Sequence, residues 1–133
     1  MAPDDPRRDT FQHDSTWRLR MVERLGAHLE SQRFGVKALY VIGSVRNGTA
    51  GPASDIDLLV LFDGTPRQRD ELTLWLEGWS LCLGEVNLLR TGYRTGGLLD
   101  VHVVTPVDVA EKTSYAVKIG SPTDAARPIP MKE

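Results

Sequence analysis

The sequence contains a single cysteine, Cys82, and no apolar run long enough to span a membrane. A lone cysteine excludes an internal disulfide and is typical of proteins in a reducing cytoplasm. A membrane-spanning helix needs about 18 or more apolar residues in a row, so a membrane protein is excluded. The N-terminal residues are polar and acidic, unlike a secretory signal peptide. We therefore expect a cytoplasmic protein with no membrane partner.

A strong excess of one charge is also missing, because 16 basic and 18 acidic residues leave a formal net charge of -2. This balance argues against a general nucleic-acid binder, which would carry a basic surface. The length of 133 residues favours one domain with one sizeable core. Any anionic ligand must therefore be bound at a local site and not by the charge of the whole molecule.

The N-terminal part of the chain is predicted to be a leader followed by a helix. Residues 1–14 carry two prolines and show no sustained periodicity, so they are predicted to be flexible. From Asp14 or Ser15 to about Phe34, apolar residues recur at helical spacing. Either of the two polar residues can cap the start of this helix.

Two strands are predicted next, with a glycine-rich segment between them. Val36–Ile42 and Ile56–Phe62 are rich in β-branched and other apolar residues and are bounded by turn-forming residues. The intervening segment, 43–54, contains three glycines and a proline. We predict a loop or a short turn of helix for it.

A long amphipathic helix is predicted from Arg67 onward. Its apolar positions fall at three- and four-residue steps over several turns, and they are Leu72, Trp75, Leu76, Trp79, Leu83, Val86 and Leu89. A break near Gly84, followed by a short strand over 85–89, is the competing interpretation. The two tryptophans are predicted to belong to the core, and Cys82 is predicted to be buried and inert.

A third strand, Leu98–Val104, and a final helix complete the predicted elements. Thr105, followed by proline and an acid at the third helical position, predicts a helix start, and Gly120 predicts its end. Residues 121–133 contain three prolines and are predicted to be a tail, an arm or a partner contact. The resulting fold class is α/β (or α+β), with a mixed sheet of three or more strands flanked by helices in a single domain over 15–120.

Three aspartates are the candidate chemical groups. Asp55 and Asp57 alternate at the start of an otherwise apolar strand, where aspartate is unfavourable without a function. Residues i and i+2 of a strand share a face, so both carboxylates can converge on shared cations. Asp100 lies in the apolar third strand and supplies a third carboxylate if the two strands are neighbours. Such hard oxygen ligands suit Mg²⁺ or Mn²⁺, which often bridge to substrate phosphates.

Gly43 and Ser44 follow the first strand and open a turn there. A glycine permits close approach of the backbone, and the N–H groups of such a turn can bind a phosphate. Carboxylates together with a phosphate-binding turn indicate metal-assisted phosphoryl or nucleotidyl transfer. The competing interpretations are solvated turn acids for Asp55 and Asp57, a simple loop start for Gly43, and a surface acid for Asp100.

The segment GSVRNGTAGPASDIDLLVLF, residues 43–62, resembles the signature of the DNA polymerase β-like nucleotidyltransferase superfamily. In that superfamily a Gly-Ser pair precedes an Asp-x-Asp strand, and a third acid lies on a neighbouring strand. The preceding GVKALYVI and the spacing resemble the small, stand-alone minimal nucleotidyltransferase branch. The resemblance covers about residues 20–106.

The resemblance implies a role for each residue of the motif. Asp55, Asp57 and Asp100 would hold Mg²⁺ or Mn²⁺ and act in catalysis. The nucleotide triphosphate, most simply ATP, would be bound by the remaining motif residues, which are Gly43, Ser44, Arg46 and Ser54. An exposed arginine in a loop is the competing interpretation for Arg46. His102 shares a strand face with Asp100, and the sequence favours a supporting or core role for it over a ligand role.

The implied function is transfer of a nucleoside monophosphate, with ATP as the expected donor of AMP, to a hydroxyl acceptor. Minimal members often act as antitoxins that adenylylate a helical HEPN-type toxin, which implies a protein partner as the acceptor. A homo-oligomer is the other partner hypothesis. The competing functions are nucleotidylation of a small molecule, as in aminoglycoside-modifying relatives, and a catalytically silent module that binds nucleotide or bridges proteins.

Overall fold

The computed structural model describes the backbone of residues 6–132 and the side chains from His13 onward. Its α-helices are α1 (Pro6–His28), α2 (Ser31–Phe34), α3 (Gly43–Asn47), α4 (Pro66–Thr91) and α5 (Pro106–Glu111). Its strands are β1 (Val36–Ile42), β2 (Ile56–Phe62), β3 (Leu99–Val104) and β4 (Arg127–Pro128). A 3₁₀ helix, Ser114–Lys118, follows α5. No helix within this described part of the chain combines the length and the apolar character needed to cross a membrane.

The four strands form one mixed sheet in the order β3-β2-β1-β4. β1 pairs antiparallel with both β2 and β4, whereas β2 and β3 are parallel. The parallel pair is joined by α4, as a parallel crossover requires. The predicted class, a mixed sheet of three or more strands with flanking helices, is confirmed.

The two faces of the sheet are covered unequally. Ile56, Leu58 and Val60 of β2 face the main core, to which α1, α2 and α4 contribute many of the other buried side chains. The opposite face holds a smaller cluster in which Leu59 packs against Ala116 of the 3₁₀ helix and Ala126. Since successive strand residues alternate between faces, Asp57 lies on the smaller-cluster side.

The strand predictions are confirmed almost to the residue, and the helix boundaries are not. The first helix begins at Pro6 and not at Asp14 or Ser15, since a proline is well tolerated in the first helical turn. It ends at His28, and the separate helix α2 covers the last residues of the predicted span. The predicted leader is thus helical from residue 6, and residues 1–5 lie outside the described part.

The long helix α4 is continuous, so the break near Gly84 and the strand over 85–89 are wrong. Gly84 packs against the Gly96 carbonyl, 3.1 Å from where a Cβ would stand, so this glycine serves a contact and not a helix end. Leu89 is 85% exposed, so the buried face of α4 does not include this last position of the predicted apolar stripe. Cys82 is exposed as well, contrary to the prediction. Trp75 and Trp79 are partly buried against the main core.

The C-terminal part differs from its prediction in two ways. The capping box formed by Thr105 and Asp108 starts α5 as predicted, but the helix ends at Glu111 and not near Gly120, because Lys112 adopts a left-handed conformation with φ 55°. The predicted tail contributes β4, and the buried Ile129 donates its N–H to the Leu39 carbonyl at 2.8 Å. At least residues 126–131 therefore pack on the domain.

Two helical glycines give a matched test of this packing. A Cβ on Gly26 of α1 would stand 2.5 Å from the Pro130 carbonyl oxygen and 2.7 Å from Ile129, whereas a Cβ on Gly78 of α4 would meet nothing within 4 Å. We expect Gly26→Ala to lower the free energy of unfolding by about 1–3 kcal/mol through overpacking. Gly78→Ala should raise it by about 0.5–1 kcal/mol, because alanine is the better helix former. Urea denaturation measures both, and equal effects would contradict the docking of the C-terminal segment on α1.

Candidate functional site

Asp57 and Asp100 are neighbours in the sheet. The parallel register of β2 and β3 places them directly opposite each other near the starts of both strands. His102 follows two residues after Asp100 and therefore lies on the same face of β3. The sequence prediction that a neighbouring strand brings Asp100 to Asp57 agrees with this register.

A three-residue cluster results. His102 Nε2 lies 3.5 Å from Asp57 Oδ1 and 3.4 Å from Asp100 Oδ2. One potential ligand atom from each residue lies within 4.8 Å of the other two. The side chains of His102, Asp57 and Asp100 are 20%, 29% and 53% exposed, so the cluster is open on the Asp100 side.

The surroundings of Asp57 oppose its charged form. Burial raises the pKa of Asp57; the hydrogen bond from His102 lowers it, and the adjacent Asp100 raises it further. The pKa of Asp55 is also raised, by partial burial and by the charge of Asp100, while Arg18 acts in the opposite direction. Acids that repel one another in this way favour a bound cation.

Gly43 packs closely against the Asp57 side chain. Its φ of 71° is in the left-handed region, and a Cβ at this position would collide with the Asp57 carboxylate. Since Ile42 pairs with Asp57 across the antiparallel β1–β2 ladder, Gly43 comes directly after the residue opposite the acid. Only glycine satisfies both the backbone conformation and the contact.

The other sequence-predicted residues are not members of this cluster. Asp55 precedes β2, is exposed and lies outside the three-residue cluster. Ser44 lies in the first turn of α3 and is half-buried. Arg46 Nε donates to the Ala125 carbonyl at 2.9 Å, toward the C-terminal segment. Ser54 Oγ accepts from the Gly51 N–H at 2.9 Å and closes a turn before Asp55.

The His102 ring also contacts an aromatic side chain. The ring of Tyr115, in the 3₁₀ helix, lies against the His102 ring with centroids 4.2 Å apart and planes inclined by 44°. This contact limits the orientations that the imidazole can adopt. His102 is thus a central member of the cluster, whereas the sequence favoured a supporting role for it.

A buried arginine fixes the segment that leads into the acids. Arg18 of α1 is fully buried and donates from Nε to the Ser54 carbonyl at 3.2 Å and from Nη2 to the Pro52 carbonyl at 3.3 Å. Its Nη2 also donates to Asn87 Oδ1 at 2.8 Å, and Asp14 Oδ1 lies 3.7 Å from Nη1. Burial lowers the pKa of Arg18, and the charges of Asp14 and Asp55 offset part of this effect.

Two further side chains hold the same segment. Asn87 of α4 is fully buried and donates from Nδ2 to the Pro52 carbonyl at 2.9 Å and to the Tyr93 carbonyl at 3.2 Å. Ser15 Oγ accepts from the Ala50 N–H at 2.9 Å. These contacts anchor residues 50–54 between α1 and α4.

Sequence reasoning missed this network, although the pattern contained an indication of it. Arg18 continues the buried stripe of Val22 and Leu25 at helical spacing, and Asn87 continues the stripe of Leu83. A charged or amide side chain on an apolar face requires buried partners. The position of Arg18 and Asn87 on buried stripes therefore indicates a structural polar network.

The chemistry of the donor set fits a divalent cation. Asp57 and Asp100 present hard carboxylate oxygens, and His102 presents a nitrogen that Mn²⁺ accepts more readily than Mg²⁺ does. Burial and the nearby Asp100 raise the pKa of both Asp55 and Asp57, and a bound cation would offset both effects. The cluster is thus a candidate metal centre.

Residues 29–120, more than half of the chain, match the family described as a nucleotidyltransferase domain. The chain belongs to this family. The match includes Gly43, Ser44 and all three aspartates, so the family assigned from residues 43–62 is confirmed at this level. Comparisons with curated proteins and with solved structures give no significant match.

Removal of the buried guanidinium tests whether it holds the nucleotidyltransferase domain together. Arg18→Met leaves the Ser54 and Pro52 carbonyls and Asp14 without this partner in the interior. We expect a loss of about 3–5 kcal/mol in the free energy of unfolding, as for other broken buried ion pairs. Arg20→Met, at an exposed position of the same helix, should change it by less than about 0.5 kcal/mol. Similar values for both variants in urea denaturation would refute the role assigned to Arg18.

Proposed function

We propose that this protein is a metal-dependent nucleotidyltransferase that transfers a nucleoside monophosphate, with ATP as the expected donor of AMP, to a hydroxyl acceptor. The observation that carries the proposal is the meeting of Gly43, Asp57 and Asp100 in a chain of the nucleotidyltransferase domain family. Two acids at 29% and 53% exposure are open enough to receive a charged substrate, and their repulsion favours a cation.

Asp57, Asp100 and Asp55 are the proposed metal ligands, and His102 lies where it can join them. When Mg²⁺ or Mn²⁺ is bound, it neutralises triphosphate charge and lowers the pKa of the acceptor hydroxyl. Gly43 and Ser44 are proposed to bind the phosphates through the turn at the end of β1. Ser54 and Arg46 are proposed to complete the nucleotide site.

The reaction balances without a further co-reactant. The acceptor oxygen forms a bond to the α-phosphorus, the bond from the α-phosphorus to the bridging oxygen breaks, and pyrophosphate leaves. Asp100 is the most exposed acid of the cluster and is proposed to accept the proton of the acceptor hydroxyl. Asp57, with the raised pKa, is more enclosed and is proposed to remain a ligand throughout.

The acceptor is proposed to be a hydroxyl on a partner protein, in a toxin-antitoxin-like pair. The described residues fold around one sheet, and no second domain within them supplies an acceptor pocket. An aminoglycoside-type small molecule would have to be bound by another subunit.

A catalytically silent nucleotide-binding module is the second candidate. The observation that favours it is that the carboxylate of Asp55 lies outside the cluster, while His102 occupies the space between Asp57 and Asp100. In such a module nucleotide would bind and pyrophosphate would not be released.

The test combines the protein with α-labelled ATP, Mg²⁺ or Mn²⁺ and the protein encoded beside it in the genome. We expect label on the neighbour and release of pyrophosphate, and both should be lost in Asp57→Asn. Calorimetric titration with the metal and a non-hydrolysable ATP analogue reports binding separately. Binding without pyrophosphate release would support the silent module, and neither binding nor release would reject both candidates.

Two glycines at the ends of α3, Gly43 at its start and Gly48 directly after it, separate the effect of the site contact from that of backbone strain. Gly43 and Gly48 both have positive φ, at 71° and 76°, but only a Cβ at Gly43 meets Asp57. Each alanine substitution should cost about 1–2 kcal/mol of stability, because both place a side chain in the left-handed region. Only Gly43→Ala should also lower nucleotidyl transfer, by about tenfold or more, through displacement of a metal ligand. Equal activity losses in a pyrophosphate-release assay would contradict the proposed contact.

A further inference from the structure

The outer edge of the sheet at β3 has no neighbouring strand among the residues described. Ile56 N–H donates to the Leu98 carbonyl on the inner side, and Leu99 N–H donates outward to Ser80 Oγ at 3.0 Å. Because peptide groups alternate along a strand, the N–H and C=O groups of Val101 and Val103 also point outward. Unpaired backbone groups of this kind are a template for pairing with another chain.

A groove of about 400 Å³ accompanies this edge. It lies between α4 and β3, and its floor is formed by apolar side chains, which are Leu72, Leu76, Leu99, Val101 and Val103. Arg69 and Glu77 of α4 also line it, whereas Asp70 does not. The groove therefore carries one positive and one negative group, and the hydroxyl residues Thr73 and Ser80 complete its lining.

We propose that a second copy of this chain occupies the edge, with the β3 strands of the two copies paired antiparallel about a two-fold axis at His102. Val101 of one copy then faces Val103 of the other, and each such pair exchanges two backbone hydrogen bonds. The four strands of each copy join into one continuous sheet. The α4 helices lie on the same side of that sheet, because a two-fold axis perpendicular to a sheet preserves its faces.

The charges of the groove agree with this register. Ser80 is level with Leu99, as their hydrogen bond shows. A helix rises about 1.5 Å and a strand about 3.3 Å per residue, so Arg69 is level with Val104 and Glu77 with Asp100. A two-fold axis at His102 exchanges these two levels and brings Arg69 of each copy opposite Glu77 of the other. An axis at Val101 or Val103 would not pair these charges.

The exposed leucines of α4 support an interface on this helix. Leu74 and Leu81 are 69% and 53% exposed. Neither belongs to a buried cluster of the described chain. Exposed apolar side chains beside an open strand edge and a groove are typical of an interaction surface.

The first experiment measures the oligomeric state of the whole chain by sedimentation velocity over a concentration series. We expect a dimer of twice the 14.8 kDa chain mass. Glu77→Arg places like charges opposite each other and should raise the dimer dissociation constant about tenfold or more. Adding Arg69→Glu to it should restore the dimer, because the pair is then reversed on both sides. Glu23→Arg, an exposed acid of α1 outside the groove, should have no effect.

The second experiment reads the strand pairing directly by hydrogen exchange. The amides of Val101 and Val103 should be protected in the wild-type dimer and should exchange faster in Glu77→Arg, while those of the central strand β2 stay protected in both. A monomer at all concentrations would overturn the proposal and leave the groove to a different partner. A dimer whose dissociation constant is unchanged in both charge variants would overturn it as well. So would a dimer in which the Val101 and Val103 amides exchange freely.

Discussion

The guanidinium of Arg18 has no access to solvent, and it satisfies carbonyl groups of the segment that precedes β2. That segment is not a strand and has no hydrogen-bonded neighbour in the sheet. Side chains from α1 and α4 bind it instead. The position of the acids depends on this arrangement, because Asp55 directly follows the anchored segment and Asp57 comes two residues later. Burial of a charged group is unfavourable unless its partners are in place, which makes the network sensitive to any displacement.

The acidic cluster, unlike the Arg18 network, places groups of like charge next to each other. Asp57 and Asp100 lie side by side in a parallel register that is fixed by the sheet and not by their own attraction. Burial, together with the adjacent Asp100, raises the pKa of Asp57, so the cluster is held together by the surrounding fold against a local cost. Gly43 adds to this by leaving room for the carboxylate where any side chain would displace it. A site that is unfavourable in isolation and supported by its scaffold is typical of function.

Local sequence patterns were sufficient to predict β1, β2 and β3, but they did not predict where the helices begin and end. β1 and β2 are short apolar runs between glycine- or proline-containing turns, and both strands were predicted with their observed limits. Gly84 lies inside α4 and packs against the loop at Gly96, and a contact between distant residues leaves no local pattern. The same applies to β4, whose two residues become a strand only through the edge of β1. For the site, the motif spacing indicated Asp55 and Asp57, and the apolar third strand indicated Asp100, but the central position of His102 required the register of β3.

The unequal cover of the two sheet faces determines how the site can be reached. The face toward α1 and α4 is filled by the main core, whereas the cluster lies on the face covered by short elements near Ala116 and Ala126. On that face exposure rises from Asp57, on the inner strand, to Asp100, on the outer strand, so the approach to the acids is from the β3 side. In the proposed reaction the acceptor therefore arrives at the same side of the domain as the open strand edge. A second copy at that edge would border the entrance, whereas the residues proposed to bind the nucleotide lie at the end of β1, two strands away from β3.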